Sequence, residues 1–176
     1  NGGDGAVIAR ELFLKGFLVK VWCPFPIKKT LTNNHLNYLT SIGVTKLVEP
    51  PDANRKDLWI DAVFGNNQTR KVDNKLIKLF NQKFHNKYGK VISIDIPTGL
   101  CPDKGEPFLD NAVKADHTLA IGLNKIGLTQ DSALPFIGEL HHIDVGVPIS
   151  KLSKVDKKIF KVTYKDLKNI DLPSLP

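Results

Sequence analysis

The stretch KVISIDIPTG, residues 90–99, is the clearest indication of fold in this chain. Its first seven residues form a near-continuous β-branched run, which Pro97 ends. A strand that is apolar along its whole length, rather than at alternate positions, is typical of a parallel sheet buried on both faces. The stretch therefore predicts one strand of a parallel sheet that helices cover on both sides.

The segments on either side of this strand continue an alternation of strands and helices. Apolar runs that end at proline or glycine predict strands, and apolar residues spaced three or four positions apart predict helices. The alternation predicts an α/β fold with a mostly parallel sheet. The other predicted strands cover residues 17–23, 46–48, 58–64, 115–121 and 140–145, and helices are predicted after residue 5, near 34–41 and at 72–84.

The chain opens with a glycine-rich turn, NGGDG at residues 1–5, which leads into a helical pattern. Glycine permits positive φ and a close approach to a ligand, and the free N–H groups of a first helical turn suit an anion. We expect Asn1 or Asp4 to cap the helix. Phosphate-binding turns of this kind follow a buried strand, so we expect the first strand of the sheet to be missing from this sequence. A plain tight turn is the alternative.

Polar residues lie within or just after three predicted strands. Asp61 lies inside an apolar strand, Asp95 ends the strand at 90–96, and Lys125 follows the strand at 115–121. Ligands of open parallel sheets bind at the carboxyl ends of the strands. A carboxylate in an apolar strand is costly to bury unless it is paired or bound to a cation. All three are candidate functional residues; the alternatives are a turn cap for each aspartate and a solvated loop position for the lysine.

Length and charge indicate one domain with a basic tail. The chain has 176 residues, is 41% hydrophobic and carries a formal net charge of +7. Residues 151–168 contain seven lysines and two aspartates, so a net charge of +5 lies there. We expect a domain at residues 1–150 and a basic C-terminal segment at 151–176. This distribution indicates a solvated tail rather than a nucleic-acid surface, and no run is apolar enough to span a membrane.

Neither the cysteines nor the histidines show metal-ligand spacing. Cys23 and Cys101 lie far apart and form no CxxC pair, which indicates a reduced, cytoplasmic protein whose thiols fill apolar space. His141 and His142 are adjacent on a predicted strand and point to opposite faces. No ligand spacing links the remaining histidines, His35, His85 and His117.

Six segments lie in the chain in this order: NGGDG followed by Ala9-Arg10, DAVFG at 61–65, SIDIPTGL at 93–100, ADHT at 115–118, Lys125 with Gly127-Leu128, and DVGVP at 144–148. Together they resemble the YjeF N-terminal family over about residues 1–148, without its N-terminal helix and first strand. The resemblance implies a three-layer αβα, Rossmann-like sandwich. Enzymatic members of the family are NAD(P)H-hydrate epimerases, isomerases that interconvert the R and S forms of NADHX and NADPHX, which are cofactors hydrated at C6 of the nicotinamide ring.

The resemblance also implies the residues of the site. A potassium ion would be held by Asn1, Asp61 and Thr98. The hydrated nucleotide would be contacted by Asp95, by the turn residues Asn1, Gly2, Gly3 and Asp4, and by the loop residues Gly65, Asn66, Asn67, Gln68, Thr69 and Arg70.

The chemistry of the hydrate agrees with such a site. A hydroxyl on the carbon next to the ring nitrogen makes C6 a carbinolamine. C6 can therefore invert when its hydroxyl is protonated, water leaves, and water adds to the other face of an iminium-like intermediate. This reaction needs a positioned acid/base and no redox change. We expect Asp95 to be that acid/base, and Lys125 to lie near substrate anions or to orient Asp95.

Two departures from the family pattern affect these expectations. Thr98 stands where family members usually carry serine, which preserves the hydroxyl. The loop after Gly65 reads Asn66-Asn67-Gln68 instead of Thr-Gly-Leu, and the loss of glycine at position 67 could obstruct the diphosphate, although asparagine tolerates positive φ. Whether this loop keeps activity, and whether NADHX or NADPHX is preferred, stays open.

The resemblance further implies a homodimer and a multifunctional parent enzyme. Residues 169–176 resemble the linker that joins this domain to an ADP- or ATP-dependent dehydratase domain. A non-catalytic scaffold or RNA-binding module with the same fold is one alternative function. A NAD-dependent dehydrogenase is another, but it needs an intact GxGxxG turn.

Overall fold

In this computed structural model, residues 2–69 and 71–148 are described. The chain separates into two units, residues 1–145 and 146–176, and only 146–148 of the second are described. The predicted boundary after residue 150, the basic segment and the linker-like C-terminus all lie outside the described residues.

Strands and helices alternate along the first unit, as the sequence predicts. The strands are β1 (Lys20–Trp22), β2 (Thr45–Leu47), β3 (Leu58–Asp61), β4 (Lys90–Ile94), β5 (His117–Ile121) and β6 (Glu139–Ile143). The helices are α1 (Gly3–Leu14), α2 (Thr30–Ser41), α3 (Asn74–His85) and α4 (Leu134–Ile137), with 3-10 turns at Ile126–Thr129 and Asp131–Ala133. Within the described ranges, no helix combines the length and apolar character needed to cross a bilayer.

The six strands pair in parallel and form two sheets. β1 pairs with β2, and the other four strands form a sheet in the order β3-β4-β5-β6. The parallel pairing confirms the α/β class. The sequence predicts a mostly parallel sheet whose first strand is missing from the chain. The structure divides the strands at a cavity of about 1120 Å³ lined by β1, β3 and α1. The division arises because no strand in the described part of the chain joins β1 to β3.

Helix α3 covers one face of the four-stranded sheet. It begins after Asp73, whose side chain accepts a hydrogen bond from the backbone N–H of Lys75 at 2.8 Å. Ile77 and Phe80 of this helix are buried against the sheet. Phe80 meets Trp59 of β3 edge-on, with ring centroids 5.4 Å apart. Burial of this apolar face holds α3 against the four-stranded sheet.

Strand register shows which side chains lie on each face of this sheet. Trp59 pairs with Val91, Asp61 pairs with Ser93, and Ser93 pairs with Thr118. Paired residues of parallel strands point to the same side, so these five buried side chains lie on the face that α3 covers. The opposite face carries Ile60, Ile92, His117 and Leu119, which are half-buried, and Ile94, which is buried.

Helices α1 and α2 pack around a separate apolar cluster that includes Ala9, Leu36 and Val44. The sequence-based prediction of the α1 cap is wrong for Asp4. The N-cap is Gly2, with φ 69°, and no side-chain hydrogen bond from the described residues caps the helix. Because glycine takes this left-handed conformation freely, the helix starts at Gly3 and Asp4 lies within its first turn.

Candidate active site

The carboxyl ends of β3, β4 and β5 bring the predicted residues to one edge of the four-stranded sheet. Asp61 is the last residue of β3, Asp95 directly follows β4, and Lys125 lies four residues beyond β5. Parallel strands end at the same edge, which is where ligands bind in open α/β sheets. Contacts at this edge form two groups, one around Asp61 and Thr98 and one around Asp95 and Lys125.

The Asp61 carboxylate is fully buried and accepts four hydrogen bonds. Thr98 donates its backbone N–H to Oδ2 at 2.8 Å and its hydroxyl to Oδ1 at 2.7 Å. The Ser93 hydroxyl donates to Oδ2 at 3.1 Å, and the N–H of Val63 donates to Oδ1 at 3.4 Å. Burial raises the pKa of Asp61, and the hydrogen bonds from Thr98, Val63 and Ser93 oppose that shift.

These oxygens are suited to a hard cation. In the part of the chain that is described, all hydrogen-bond partners of the Asp61 carboxylate are uncharged, and a buried carboxylate without a countercharge favours a bound cation. Carboxylate and hydroxyl oxygens are typical ligands of hard cations. The Thr98 hydroxyl directs its proton toward Asp61, which leaves its lone pairs for an ion. The residues present therefore fit the expected potassium ion; Asn1, the third predicted ligand, lies outside the described residues.

Asp95 has an unusual backbone conformation. Its φ is 70°, and no other non-glycine residue within 2–69 and 71–148 has a positive φ. A left-handed non-glycine residue costs on the order of 1–3 kcal/mol, and such strain concentrates at functional sites. The backbone N–H of Asp95 donates to the carbonyl of Leu119 at 2.8 Å, which fixes the strained residue to β5.

The Asp95 carboxylate is held by an ammonium group and by backbone N–H groups. Lys125 Nζ forms an ion pair with Oδ1, and the N–H of Asn66 donates to Oδ2 at 2.9 Å. The N–H of Ile121 lies 3.4 Å from Oδ1, and its carbonyl accepts a hydrogen bond from Lys125 Nζ at 2.9 Å. Only 13% of the Asp95 side chain and 11% of the Lys125 side chain are exposed. The result is a mostly buried carboxylate in direct contact with an ammonium group.

The loop after β3 approaches Asp95 closely. A Cβ on Gly65 would lie 3.2 Å from Asp95 Oδ2, so glycine lets the backbone pass beside the carboxylate. Asn66, the next residue, donates the N–H described above and has an exposed side chain. Asn67 and Thr69 are also exposed, and Arg70 lies outside the described residues.

Gln68 fixes this loop to the turn that carries Thr98. Its side-chain amide donates to the carbonyl of Pro97 at 3.1 Å and to that of Leu100 at 2.7 Å. Its Oε1 accepts the N–H of Gly99 at 2.9 Å. The side chain is buried and both of its polar atoms are occupied, so Gln68 connects the Asp61 group to the Asp95 group.

The glycine-rich turn lies beside the Asp61 end of the site. A Cβ on Gly5 would stand 2.7 Å from the Cβ of Ala62, the residue after Asp61. The missing side chain therefore allows the first turn of α1 to pack against the chain leaving β3. Gly2 and Gly3 are half-buried and Asp4 is exposed. The N-terminal turn of α1 therefore lies beside the residue that follows Asp61.

Sequence reasoning missed two residues that shape the site, Ser93 and Gly5. Ser93 donates to Asp61, and only the pairing of β3 with β4 reveals it, because 32 residues separate the two. Gly5 was grouped with the ligand-binding turn, whereas its contact with Ala62 is a packing requirement. The strand period would have placed Ser93 on the same face as Asp61 if the register had been known.

The family described as YjeF-related protein N-terminus matches residues 1–127. The chain belongs to this family. The matched region contains every predicted site residue, from Asn1 to Lys125. The structure of this YjeF N-terminal chain is similar to the crystal structure of yeast ynu0, YNL200c, with a TM-score of 0.63 at 20% identity, covering 81% of this chain and 60% of that one. That likeness establishes the fold.

Two relatives illustrate how this YjeF N-terminal chain compares with longer proteins. The bifunctional NAD(P)H-hydrate repair enzyme Nnr of Synechocystis sp. is 37% identical over 162 residues, which cover 92% of this chain and 30% of that protein. The NAD(P)H-hydrate epimerase of Oenococcus oeni is 31% identical over 149 residues, which cover 84% of this chain and 70% of that protein. The chain thus spans about a third of the length of the bifunctional relatives.

Proposed function

We propose that this chain is an NAD(P)H-hydrate epimerase, an isomerase that interconverts the R and S forms of NADHX and NADPHX in nicotinamide nucleotide repair. The names of relatives that align with most of the chain support this activity. The observation that carries the proposal is the strained Asp95, held in contact with Lys125 at the carboxyl edge of the sheet. A protein that served only as a scaffold would not require a strained backbone conformation at Asp95.

Asp95 acts as the acid and then as the base. Asp95 is a carboxylate paired with Lys125, so it first takes up a proton from solvent. It then gives this proton to the C6 hydroxyl, the C6–O bond breaks, and water leaves an iminium-like ring. Water then adds to the opposite face of C6 and returns a proton to the carboxylate. The proton given in the first step is recovered in the second, and no electrons are transferred. A positioned group of this kind contributes about 10²–10⁴-fold to such a step.

Lys125 and Asn66 stabilise the carboxylate form of Asp95 between the two proton transfers. The ammonium contacts Oδ1 and the N–H of Asn66 donates to Oδ2, so both oxygens have a donor after the proton has left. Low exposure strengthens both contacts, because little water competes with them. Lys125 is therefore a positioning residue for Asp95.

We also propose a potassium ion held by Asp61, the Thr98 hydroxyl and the Asn1 amide. The ion supplies a fixed positive charge at the edge of the sheet. The proposal is supported by a buried carboxylate with uncharged partners and a raised pKa. Gln68 keeps the turn with Thr98 beside the loop that contacts Asp95, so an ion at Asp61 would also set the position of the acid.

We propose that the remaining predicted residues contact the hydrated nucleotide. Gly2, Gly3 and Asp4 form the N-terminal end of α1, whose N–H groups suit the diphosphate, and Asn1 precedes them in the sequence. Gly65 and the exposed side chains of the following loop complete the substrate contacts with Asp95. The exposed residues of that loop are Asn66, Asn67 and Thr69, and Gln68 is its buried anchor. Arg70 is proposed as a contact from the sequence alone.

A coupled assay tests the activity. R-NADPHX is supplied with an S-specific dehydratase, so that the cofactor is regenerated only as fast as the R form becomes S, and the spontaneous rate is subtracted. We expect Asp95→Asn to remove the enzymatic rate. The matched control is Asp57→Asn, because Asp57 is exposed, pairs with Arg55 and lies outside the two groups of contacts in the candidate site. Absence of turnover by folded wild-type protein would favour the scaffold or RNA-binding alternative.

The location, oligomeric state and domain organisation of the protein are further parts of the proposal. We propose that the protein is a cytoplasmic homodimer. We also propose that its domain is joined to an ADP- or ATP-dependent dehydratase domain, because relatives that align with most of this chain are named as bifunctional repair enzymes. Light scattering in solution tests the dimer. The ratio of kcat/KM for R-NADHX to that for R-NADPHX decides which hydrate is preferred.

A further inference from the structure

A cluster of metal-ligand side chains lies at the opposite end of the strands from the candidate active site. His117 is the first residue of β5 and Glu139 is the first residue of β6, and these two residues pair in register. His141 lies two residues further along β6 and so points to the same face as Glu139. Asp95 and Lys125 follow the carboxyl ends of the strands. The cluster is therefore a separate feature, independent of the proposed epimerase.

The three ligand atoms are mutually close. His117 Nδ1 lies 3.1 Å from His141 Nε2 and 3.4 Å from Glu139 Oε2. His141 Nε2 lies 3.7 Å from Glu139 Oε2. Ligand atoms about 2.0–2.2 Å from a tetrahedral zinc ion are about 3.3–3.6 Å from one another. The observed triangle matches one face of such a tetrahedron.

The chemistry and access of the cluster also suit zinc. Two imidazoles and one carboxylate form a donor set that binds Zn²⁺ with the fourth position open to water. The side chains of His117, Glu139 and His141 are 40%, 67% and 38% exposed, so an ion can reach them from solvent. The rings already lie with centroids 5.2 Å apart, so binding requires little rearrangement.

We propose that His117, Glu139 and His141 form a site for a divalent transition-metal ion, with Zn²⁺ as the ligand. The ion replaces the hydrogen bond between the two imidazoles and joins β5 to β6, the last strand of the described sheet. The competing interpretation is a metal-free cluster, in which the imidazoles share a proton and Glu139 is their ion-pair partner. Both interpretations use the same contacts, so metal titration must separate them.

The test is titration of untagged, chelator-treated protein with Zn²⁺ by calorimetry and with Co²⁺ by visible absorption, which reports tetrahedral coordination. We expect one ion per chain. His117→Ala and His141→Ala should each weaken binding by more than about tenfold, since even loss of a residue that only supports a ligand costs 10–100-fold. His35→Ala is the matched control, because His35 lies on α2 and outside the cluster.

Glu139→Gln gives a second, milder variant in case a histidine variant fails to fold, which circular dichroism would reveal. It should weaken Zn²⁺ binding and remove the rise in Tm that Zn²⁺ produces in wild-type protein. The proposal is overturned if wild-type protein binds neither ion stoichiometrically, or if folded variants of the cluster bind as tightly as His35→Ala.

Discussion

Thr98 donates to both carboxylate oxygens of Asp61, with its backbone N–H at 2.8 Å and its hydroxyl at 2.7 Å. Residues from two different strand ends are thereby joined in a buried, oriented pair. The pair fixes the turn after β4, and Gln68 connects that turn to the loop that contacts Asp95. The position of Asp95 therefore depends on hydrogen bonds that begin at Asp61, on the neighbouring strand β3.

Replacing Thr98 tests the hydroxyl in this network. Thr98→Val keeps the shape but leaves Oδ1 of Asp61 with only the long contact to Val63, so we expect a loss of about 1–3 kcal/mol of stability. Thr98→Ser should stay close to wild type because it keeps the hydroxyl. Urea unfolding measures both variants. Equal stability of the valine and serine variants would contradict the assigned role.

The pKa of Asp61 predicts a pH dependence of stability in potassium-free buffer. Burial raises the folded-state pKa above that of the unfolded chain. Between these two values the folded protein holds a proton that the unfolded chain has lost, so the free energy of unfolding falls as pH rises. The contribution is fully present below the unfolded pKa and is lost as pH passes the folded pKa.

Asp61→Asn provides the reference for this measurement, because it cannot titrate at position 61. The difference in unfolding free energy between wild type and Asp61→Asn should change with pH in the stated direction. Potassium should oppose the loss at higher pH more than an equal concentration of tetramethylammonium. A pH-independent difference would show that Asp61 does not titrate with folding.

Lys125 should affect turnover more than substrate binding. Lys125→Met removes the charge that contacts Asp95 Oδ1, so we expect kcat to fall by at least about tenfold with a smaller change in KM. Lys125→Arg keeps the charge and should recover part of the rate. The measurement is steady-state kinetics on R-NADPHX. A change confined to KM would instead place Lys125 in contact with substrate anions.

Gln68 should contribute to stability through its buried hydrogen bonds. Gln68→Ala leaves the Gly99 N–H and the carbonyls of Pro97 and Leu100 without this partner, and we expect a loss of about 1–3 kcal/mol. Gln82→Ala is the control, because Gln82 is exposed on α3 and its replacement should stay within about 0.5 kcal/mol. Chemical denaturation compares the unfolding free energies of the two variants. Equal losses would argue against a stabilising role of the Gln68 hydrogen bonds.

Two glycines of the opening turn should respond differently to alanine. A Cβ at position 5 would lie 2.7 Å from Ala62 Cβ, so Gly5→Ala should displace α1 or cost about 1–3 kcal/mol. Gly3→Ala meets only Thr32 Oγ1 at 3.7 Å and should be tolerated. Thermal unfolding of both variants checks this. A neutral Gly5→Ala would mean that the helix end is free to move.

Most of the fold could be predicted because apolar periodicity is local. All six strands and the three long helices were located from runs such as residues 90–96, with the ends shifted by a few residues. The α1 cap was misassigned because a left-handed glycine replaced a side-chain cap. The division into two sheets depends on which strands pair, and single-chain periodicity does not contain that information.

Part of the candidate site could be predicted, because functional residues of parallel sheets lie at the carboxyl ends of the strands. Asp95 and Lys125 were identified because they end or follow a strand, and Asp61 because it is a carboxylate inside an apolar run. The structure ends β3 at Asp61 and brings all three to one edge. The cluster of His117 and His141 was missed for the opposite reason. Their spacing along the chain has no ligand pattern, and only the parallel pairing of β5 with β6 brings their rings together.

The most direct test of the central claim is the rate at which the purified protein converts R-NADPHX to the S form, measured with and without potassium against the spontaneous rate. Our account predicts turnover that requires potassium, persists in Asp57→Asn and disappears in Asp95→Asn. Folded protein that never exceeds the spontaneous rate, or that keeps its activity in Asp95→Asn, would contradict it.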